Sequence, residues 1–235
     1  MKGYPGAKSG AGVWQRIVSA MPAHEFYVEA FAGSAAVARL KAPSPLTLLV
    51  DRDRDVCRRL AATPEPGRLV VCADAVPTLE GAAAALAAFG ERALVYVDPP
   101  YLFATRTRRY YRHEFGSERE HRKLLRMLGR LRCHVMVSHY PNPLYAAMLE
   151  PRRWRRVEYL APTRGGARPE WLLMNFGDDV RRHDSRYSGD GFRERERIKR
   201  KARRWVRMLQ AMPTHERAAL LAAIDEAGLH GCYRR

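Results

Sequence analysis

Cysteine is scarce. The four present, Cys57, Cys72, Cys133 and Cys232, are never spaced as Cys-x-x-Cys and have no histidine-rich cluster beside them. That argues against a zinc site and against a disulfide framework, and leaves thiols in a reducing compartment. Long apolar runs are also missing: none approaches the ~20 residues that cross a bilayer. The first residues, MKGYPGAKSGAGVW, hold no apolar signal core. The expectation is a soluble cytoplasmic protein without a metal site. Acidic residues are few, 25 Asp and Glu against 42 Lys and Arg, for a formal net charge of +17. Such a surplus concerns partners rather than fold, and favours a polyanion: nucleic acid first, an acidic membrane surface as the weaker reading.

What is present is an alternation of short apolar runs with helical patterns. FYVEA (26–30), LTLLVD (46–51), RLVVC (68–72), ALVYVD (93–98) and CHVMVS (133–138) read as buried parallel strands. Helix candidates lie between them near 34–41, 53–62, 79–89 and 118–131. RRVEYL (155–160) and WLLMNF (171–176) can complete the sheet as an antiparallel pair at one edge. The pattern predicts a doubly wound α/β domain. Composition changes after Asp179. RRHDSRYSGDGF (181–192) reads as a linker, followed by a basic helix over 193–212 and a last helix over 215–228. The expected division is a catalytic domain over 1–180 and a basic helical extension over 181–235.

The strongest chemical signal is Asp98-Pro99-Pro100-Tyr101, directly after the strand ALVYV. Open α/β sheets bind ligands at the carboxyl ends of their strands. There, an Asp stiffened by two prolines holds a carboxylate and a carbonyl in fixed positions, and Tyr101 offers a flat face for stacking. An amine on a planar base is a poor nucleophile because its lone pair is delocalised. Acceptors at Asp98 and at the Pro99 carbonyl would hold its N–H groups and favour a more tetrahedral nitrogen, with catalysis by orientation and electrostatics. Taken alone, the tetrapeptide also fits a loop in which Pro-Pro ends a strand and Asp caps a turn.

Three weaker signals sit at other strand ends. Glu29-Ala30-Phe31-Ala32-Gly33-Ser34-Ala35-Ala36 places a glycine at a strand-to-helix turn, where a ligand can approach the backbone. Asp51 ends the second strand and is placed to accept from ribose hydroxyls. Asp53 and Asp55 could substitute for it, or could be acids at a helix N-terminus. Asp74 follows the third strand and could accept from an adenine amine.

The ordered set GYPGAKSG, YVEAFAGSAAV, LLVDRD, CADA and VYVDPPY resembles the D12-class (Dam-like) N6-adenine-specific DNA methyltransferases, particularly their small prophage-type members. SHYPNPLY (138–145) and EWLLMNF (170–176) resemble later segments of that family, so the likeness covers about residues 3–177. It implies a Rossmann-like class I methyltransferase sheet with helices on both faces, S-adenosylmethionine as cofactor, and a flipped adenine in DNA as substrate. It also implies that Tyr4, Pro5, Gly6 and Lys8 sit by the cofactor. Glu29, Phe31, Gly33 and Ser34 would form the main cofactor loop, Asp51 would bind ribose, and Asp74 would lie near the adenine ring. Asp98, Pro99, Pro100 and Tyr101 would form the catalytic motif. There are departures. Ala30 replaces the more usual Pro, and Ala35 stands where a second Gly is common. Asp74 and Asp98 are only 24 positions apart, which leaves no room for the recognition insert that family members with defined targets often carry. The implied target preference is short or relaxed.

Three basic stretches compete for phosphates. In TRTRRYYRH (105–113), Arg106, Arg108, Arg109 and Arg112 are interleaved with Tyr110 and Tyr111, which suits phosphate contact plus base stacking over the mouth of the site. Arg152, Arg153, Arg155 and Arg156 surround Trp154. The basic helix carries Lys199, Arg200, Lys201, Arg203 and Arg204 among others, and reads either as a DNA contact or as a solvated face. Its Trp205, Val206, Met208 and Leu209 are expected to pack on the catalytic domain or the last helix. Two other functions stay open: methylation of base amines in ribosomal RNA, and a non-catalytic DNA-binding protein on the same fold.

Overall fold

The computed structural model describes residues 6, 8, 10, 12–106, 111–150, 152–163, 166–189 and 191–228. Among them seven strands form one sheet: β1 (Phe26–Ala30), β2 (Leu46–Asp51), β3 (Arg68–Cys72), β4 (Ala93–Val97), β5 (His134–His139), β6 (Arg155–Thr163) and β7 (Gly166–Met174). Their order is β3-β2-β1-β4-β5-β7-β6. The first five run parallel, β7 is antiparallel to β5, and β6 is antiparallel to β7. Chain order reverses between β1 and β4, and that switch opens a crevice at the carboxyl ends of the strands.

The helices are α1 (Val13–Ala20), α2 (Ala36–Leu40), α3 (Arg54–Ala61), α4 (Ala75–Phe89), α5 (Glu118–Leu128), α6 (Pro143–Met148), α7 (Phe192–Ala211) and α8 (Thr214–Glu226). β4 is apolar along its whole length and buried on both faces, as a central parallel strand must be. Val28, Val95 and Val135 meet Leu79 and Leu86 of α4 and Leu124 and Leu128 of α5 in one core. On the other face Tyr27, Tyr96 and Met136 meet Ile17 and Val18 of α1.

Local chemistry sets the helix starts. The Asp53 carboxylate caps α3 by accepting from the amides of Asp55 (2.8 Å) and Val56 (3.4 Å). Those amides outweigh the effect of burial and hold the Asp53 carboxyl below its usual range. Ser117 and Glu120 form a reciprocal cap on α5. Asn142 caps α6 with Pro143 following, where its missing N–H costs nothing. α4 begins four residues before the expected 79, because Pro77 falls in the first turn, where amide protons have no partner within the helix.

Two expectations are corrected. The 181–192 stretch is not a free linker. Arg182 donates to the Ala20 carbonyl (3.0 Å), the Asp184 carboxylate accepts from the Ala42 amide (3.0 Å), and Tyr187 meets Trp14 edge-on at 4.6 Å. Its polar residues find backbone partners on the domain, so the segment docks through Tyr187. The apolar side of α7, expected to pack on the domain or the last helix, stays largely open: Trp205 and Val206 are each 51 % exposed and Met208 is 41 % exposed, and Leu209 alone of the four is partly covered. Neither α7 nor α8 has a buried residue. No helix among the described residues is long and apolar enough to cross a membrane.

Candidate active site

A cavity of about 240 Å³ lies at the carboxyl ends of β1, β2 and β4. β1 ends in Glu29 and Ala30, and the turn after it brings Phe31, Gly33 and Ser34 to the wall. The turn is strained: Phe31 has φ 61° and Ala35 has φ 47°, positions that cost a side chain of order 1–3 kcal/mol each. Ala35 therefore holds the left-handed conformation that a glycine would accept freely. Glu29 fixes the turn from beneath. Its Oε2 accepts from the Ala38 amide at 2.8 Å and from the Tyr27 hydroxyl at 2.9 Å. Burial nevertheless pushes its carboxyl up to about 7.

Asp51 ties the neighbouring turns together. Its Oδ2 accepts from the Gly33 amide at 2.7 Å and its Oδ1 from the Asp53 amide at 2.9 Å. Each oxygen keeps a further lone pair for a ligand hydroxyl. Burial raises its pKa.

Across the cavity, Asp98 follows β4. Its Oδ1 lies 3.1 Å from the Lys8 ammonium, which also contacts Glu170 Oε1 at 2.8 Å and the Tyr101 hydroxyl at 2.5 Å. Burial opposes the charge on Lys8, but Asp98 and Glu170 outweigh it and hold the ammonium well above its usual range. Burial is also the main reason the Asp98 carboxyl is pushed up to about 6; Lys8 opposes that rise and Glu170 adds to it.

The loop after Asp98 is pinned from below. His139 Nε2 accepts from the Leu102 amide at 3.1 Å, so its Nδ1 carries the proton and donates to the Tyr140 carbonyl at 2.8 Å. Burial lowers the His139 pKa to about 3 and keeps the ring neutral. His121 is similarly lowered by burial, to about 4, and bridges the Tyr145 hydroxyl and the Phe115 carbonyl. Residues 111–115 close the cavity from above. Tyr111, Arg112, His113 and Phe115 line it, and Arg112 reaches Asp55 on α3 at 3.0 Å. Gly6 makes this cover possible: its φ is +72°, and a Cβ there would stand 2.2 Å from the Tyr111 hydroxyl.

No protein-family model matches the chain, and no curated protein matches it. Among solved structures it is similar to SMU.776, described as a methyltransferase and crystallised with SAH, at 11 % identity and a TM-score of 0.50. It is also similar to a chain described as a SAM-dependent methyltransferase from Streptococcus mutans, at 12 % identity and a TM-score of 0.50. Both matches cover 70 % of this chain and 48 % of the other, so the shared region is about half of each of those proteins. The fold is that of the Rossmann-like class I methyltransferases.

Within this methyltransferase fold, the residues singled out in the sequence divide into groups. Gly6, Lys8, Glu29, Phe31, Gly33, Ser34 and Asp51 line one cavity with Asp98 and Pro100. Pro99 is buried beside them without lining it. Asp74 does not join. Its carboxylate is more than half exposed and pairs with Arg52 at 3.0 Å, while its neighbours Ala73 and Ala75 face the cavity. Tyr101 is not an open stacking face either. Lys8 lies over its ring, Tyr140 and His139 flank it, and its hydroxyl is bound to Glu170 at 2.8 Å.

Arg106 is corrected as a phosphate contact. It is 6 % exposed, paired with Glu114, and donates to the Tyr101 carbonyl at 2.5 Å, so it holds the loop rather than facing solvent. Arg112 is exposed. Lys199, Arg200, Lys201, Arg203 and Arg204 are all exposed on α7. Tyr4, Pro5, Arg108, Arg109 and Tyr110 lie outside the described residues.

Glu170, Tyr159 and His139 received no role from the sequence reading. The usable signal for Glu170 was an acid opening an otherwise apolar strand. A carboxylate there is buried only when donors meet it, and Lys8, Tyr101 and Tyr159 are those donors.

Proposed function

We propose that this chain transfers a methyl group from S-adenosylmethionine to the N6 amine of adenine in DNA, with a short or relaxed target preference. One observation carries the reading: the Asp98 carboxylate lines the strand-end cavity, with Oδ1 held 3.1 Å from the Lys8 ammonium.

The cavity suits the cofactor. Asp51 and Asp53 give its wall negative charge, Glu29 adds a carboxyl that a bound cation would draw toward its charged form, and Phe31 and Val50 supply apolar surface for a ring. Glu29 and Gly33 would hold the methionine end and Asp51 the ribose. When bound, the cofactor supplies an electrophilic methyl group on a positively charged sulfur.

The chain's own residues act on the amine. Asp98 Oδ2 accepts an N–H from the base and favours a more tetrahedral nitrogen, whose lone pair is then available. The proton released from nitrogen can pass to the same oxygen, because burial has raised that carboxyl to about 6. Tyr111, Arg112, His113 and Phe115 line the cavity and would shield a bound ligand from water.

Nucleic acid as the acceptor is supported by the net charge of +17 and by the exposed basic face of α7. Relaxed specificity is supported by the interval between Asp74 and Asp98, which α4, a short turn and β4 fill completely.

Transfer of label from methyl-tritiated cofactor to duplex DNA, single-stranded DNA and ribosomal RNA tests the reading. The expected result is labelled DNA that releases N6-methyladenine on digestion. Label confined to RNA would favour the ribosomal reaction, and no label in any polymer would leave a DNA-binding protein on a methyltransferase fold.

A further inference from the structure

Lys8 lies in a turn ahead of α1. Its side chain is nevertheless 9 % exposed and held by groups from two distant parts of the chain, the loop after β4 and β7. The hairpin of β6 and β7 accounts for this. β5 ends at His139, paired with Trp171, and β7 runs antiparallel to it. Glu170 is therefore the first residue of β7 beyond the end of β5, on the side where the parallel strands end. Tyr159 is its cross-strand partner on β6. Glu170 Oε1 accepts from Lys8 at 2.8 Å, from Tyr101 at 2.8 Å and from Tyr159 at 2.8 Å, and the residue is 3 % exposed. A buried carboxylate with three donors is a fixed point, and Lys8 is fixed by it.

We propose that Glu170 is a positioning residue for Asp98: through Lys8 it keeps Asp98 Oδ1 occupied and leaves Oδ2 to the substrate amine. The proposal rests on the reading of Asp98 as the acceptor. The cluster holds one ammonium and two carboxylates. Glu170 thus also shares the lysine's charge, so that Lys8 orients Asp98 without fully neutralising it. Removing the Glu170 charge would leave Lys8 paired with Asp98 alone and make Asp98 a weaker acceptor. Among the described residues, the charged and titratable groups that bear on Asp98 are Lys8, Glu170, Tyr159, Tyr101, Tyr96, Tyr111, Tyr27 and Tyr145, with Glu29 across the cavity.

The test follows the Asp98 carboxyl carbon by NMR across pH in the full-length protein, without added cofactor, in wild type, Glu170→Gln and Lys8→Gln. Glu170→Gln is expected to move the Asp98 titration down by about one unit, and Lys8→Gln to move it up by about one unit. The two opposite shifts distinguish an electrostatic clamp from general loosening, and either variant suffices if the other does not fold. Glu170→Gln is also expected to lower kcat about tenfold with KM for the cofactor unchanged. An unmoved Asp98 titration, with kcat within twofold of wild type or with only a lower Tm, would overturn the proposal. The expected shifts in a wild-type protein that methylates no polymer would support the clamp and defeat the methyltransferase reading instead.

Discussion

Replacing Asp98 with alanine is expected to lower methyl transfer by about a hundredfold or more while the fold stays close to wild type. The loss follows from removing the acceptor that holds the amine. The intact fold follows from Lys8, which keeps Glu170 at 2.8 Å when Asp98 is gone and so is not left as an unpaired buried charge. Asp98→Asn should lose activity as well, because an amide keeps the shape but not the negative charge.

The wild-type protein should show the same group in its pH profile. The carboxylate is the working form, and burial has raised the carboxyl to about 6. The rate should therefore be level above that value and fall about tenfold per pH unit below it. Stability has the opposite sign. A carboxyl whose folded pKa is raised contributes stability that is fully present below its unfolded pKa and is lost as pH rises through about 6. A profile with no acidic limb near 6, or activity within a few-fold of wild type in Asp98→Ala, would remove Asp98 from the reaction.

Removing residues 191–235 is expected to weaken DNA binding strongly while leaving cofactor affinity and Tm nearly unchanged. α7 and α8 bury no residue, so the core gives up little when they go. The electrostatic effect is large. Every phosphate that the protein no longer neutralises lowers the magnitude of the log–log salt slope by about 0.9 on duplex DNA. If Arg200, Lys201, Arg203 and Arg204 each neutralise one phosphate, replacing all four with Gln should lower it by roughly 3–4. Fluorescence anisotropy of a labelled duplex across salt concentrations gives the slope directly. An unchanged slope would make the basic face of α7 a solvated surface. A parallel decline in cofactor binding and Tm would make the segment part of the fold.

The sheet was legible because its signals are local. Strands that are buried on both faces, such as ALVYV, read as unbroken apolar runs, and helices such as α3 and α5 carry an apolar stripe. α1 escaped notice although Val13, Ile17 and Val18 share one face, because eight residues behind a glycine-rich start give only two turns of pattern. β6 and β7 extend further than alternation suggested. The added residues include Pro162 and Pro169, which lie in the part of the hairpin that runs past β5, where a missing donor costs little.

The site divides in the same way. Residues at strand ends, Glu29, Asp51 and Asp98, could be placed from the chain alone because the strand fixes their position. Residues whose role depends on a partner far along the chain could not. Tyr101 read as a stacking surface because nothing local shows that Lys8 and Glu170 hold its hydroxyl, 93 and 69 positions away. Arg106 read as a phosphate ligand because its basic neighbours hide the fact that Glu114 takes it inward. Asp74 has the right residue type at the right strand end, but its carboxylate pairs with Arg52 and does not line the cavity.

The most direct measurement is long-read modification mapping of genomic DNA after expression in a host lacking adenine methylation. N6-methyladenine at many sites sharing little or no flanking sequence, absent with Asp98→Ala, is the predicted result. Unmodified adenines in cells containing folded wild-type protein and ample S-adenosylmethionine would contradict it.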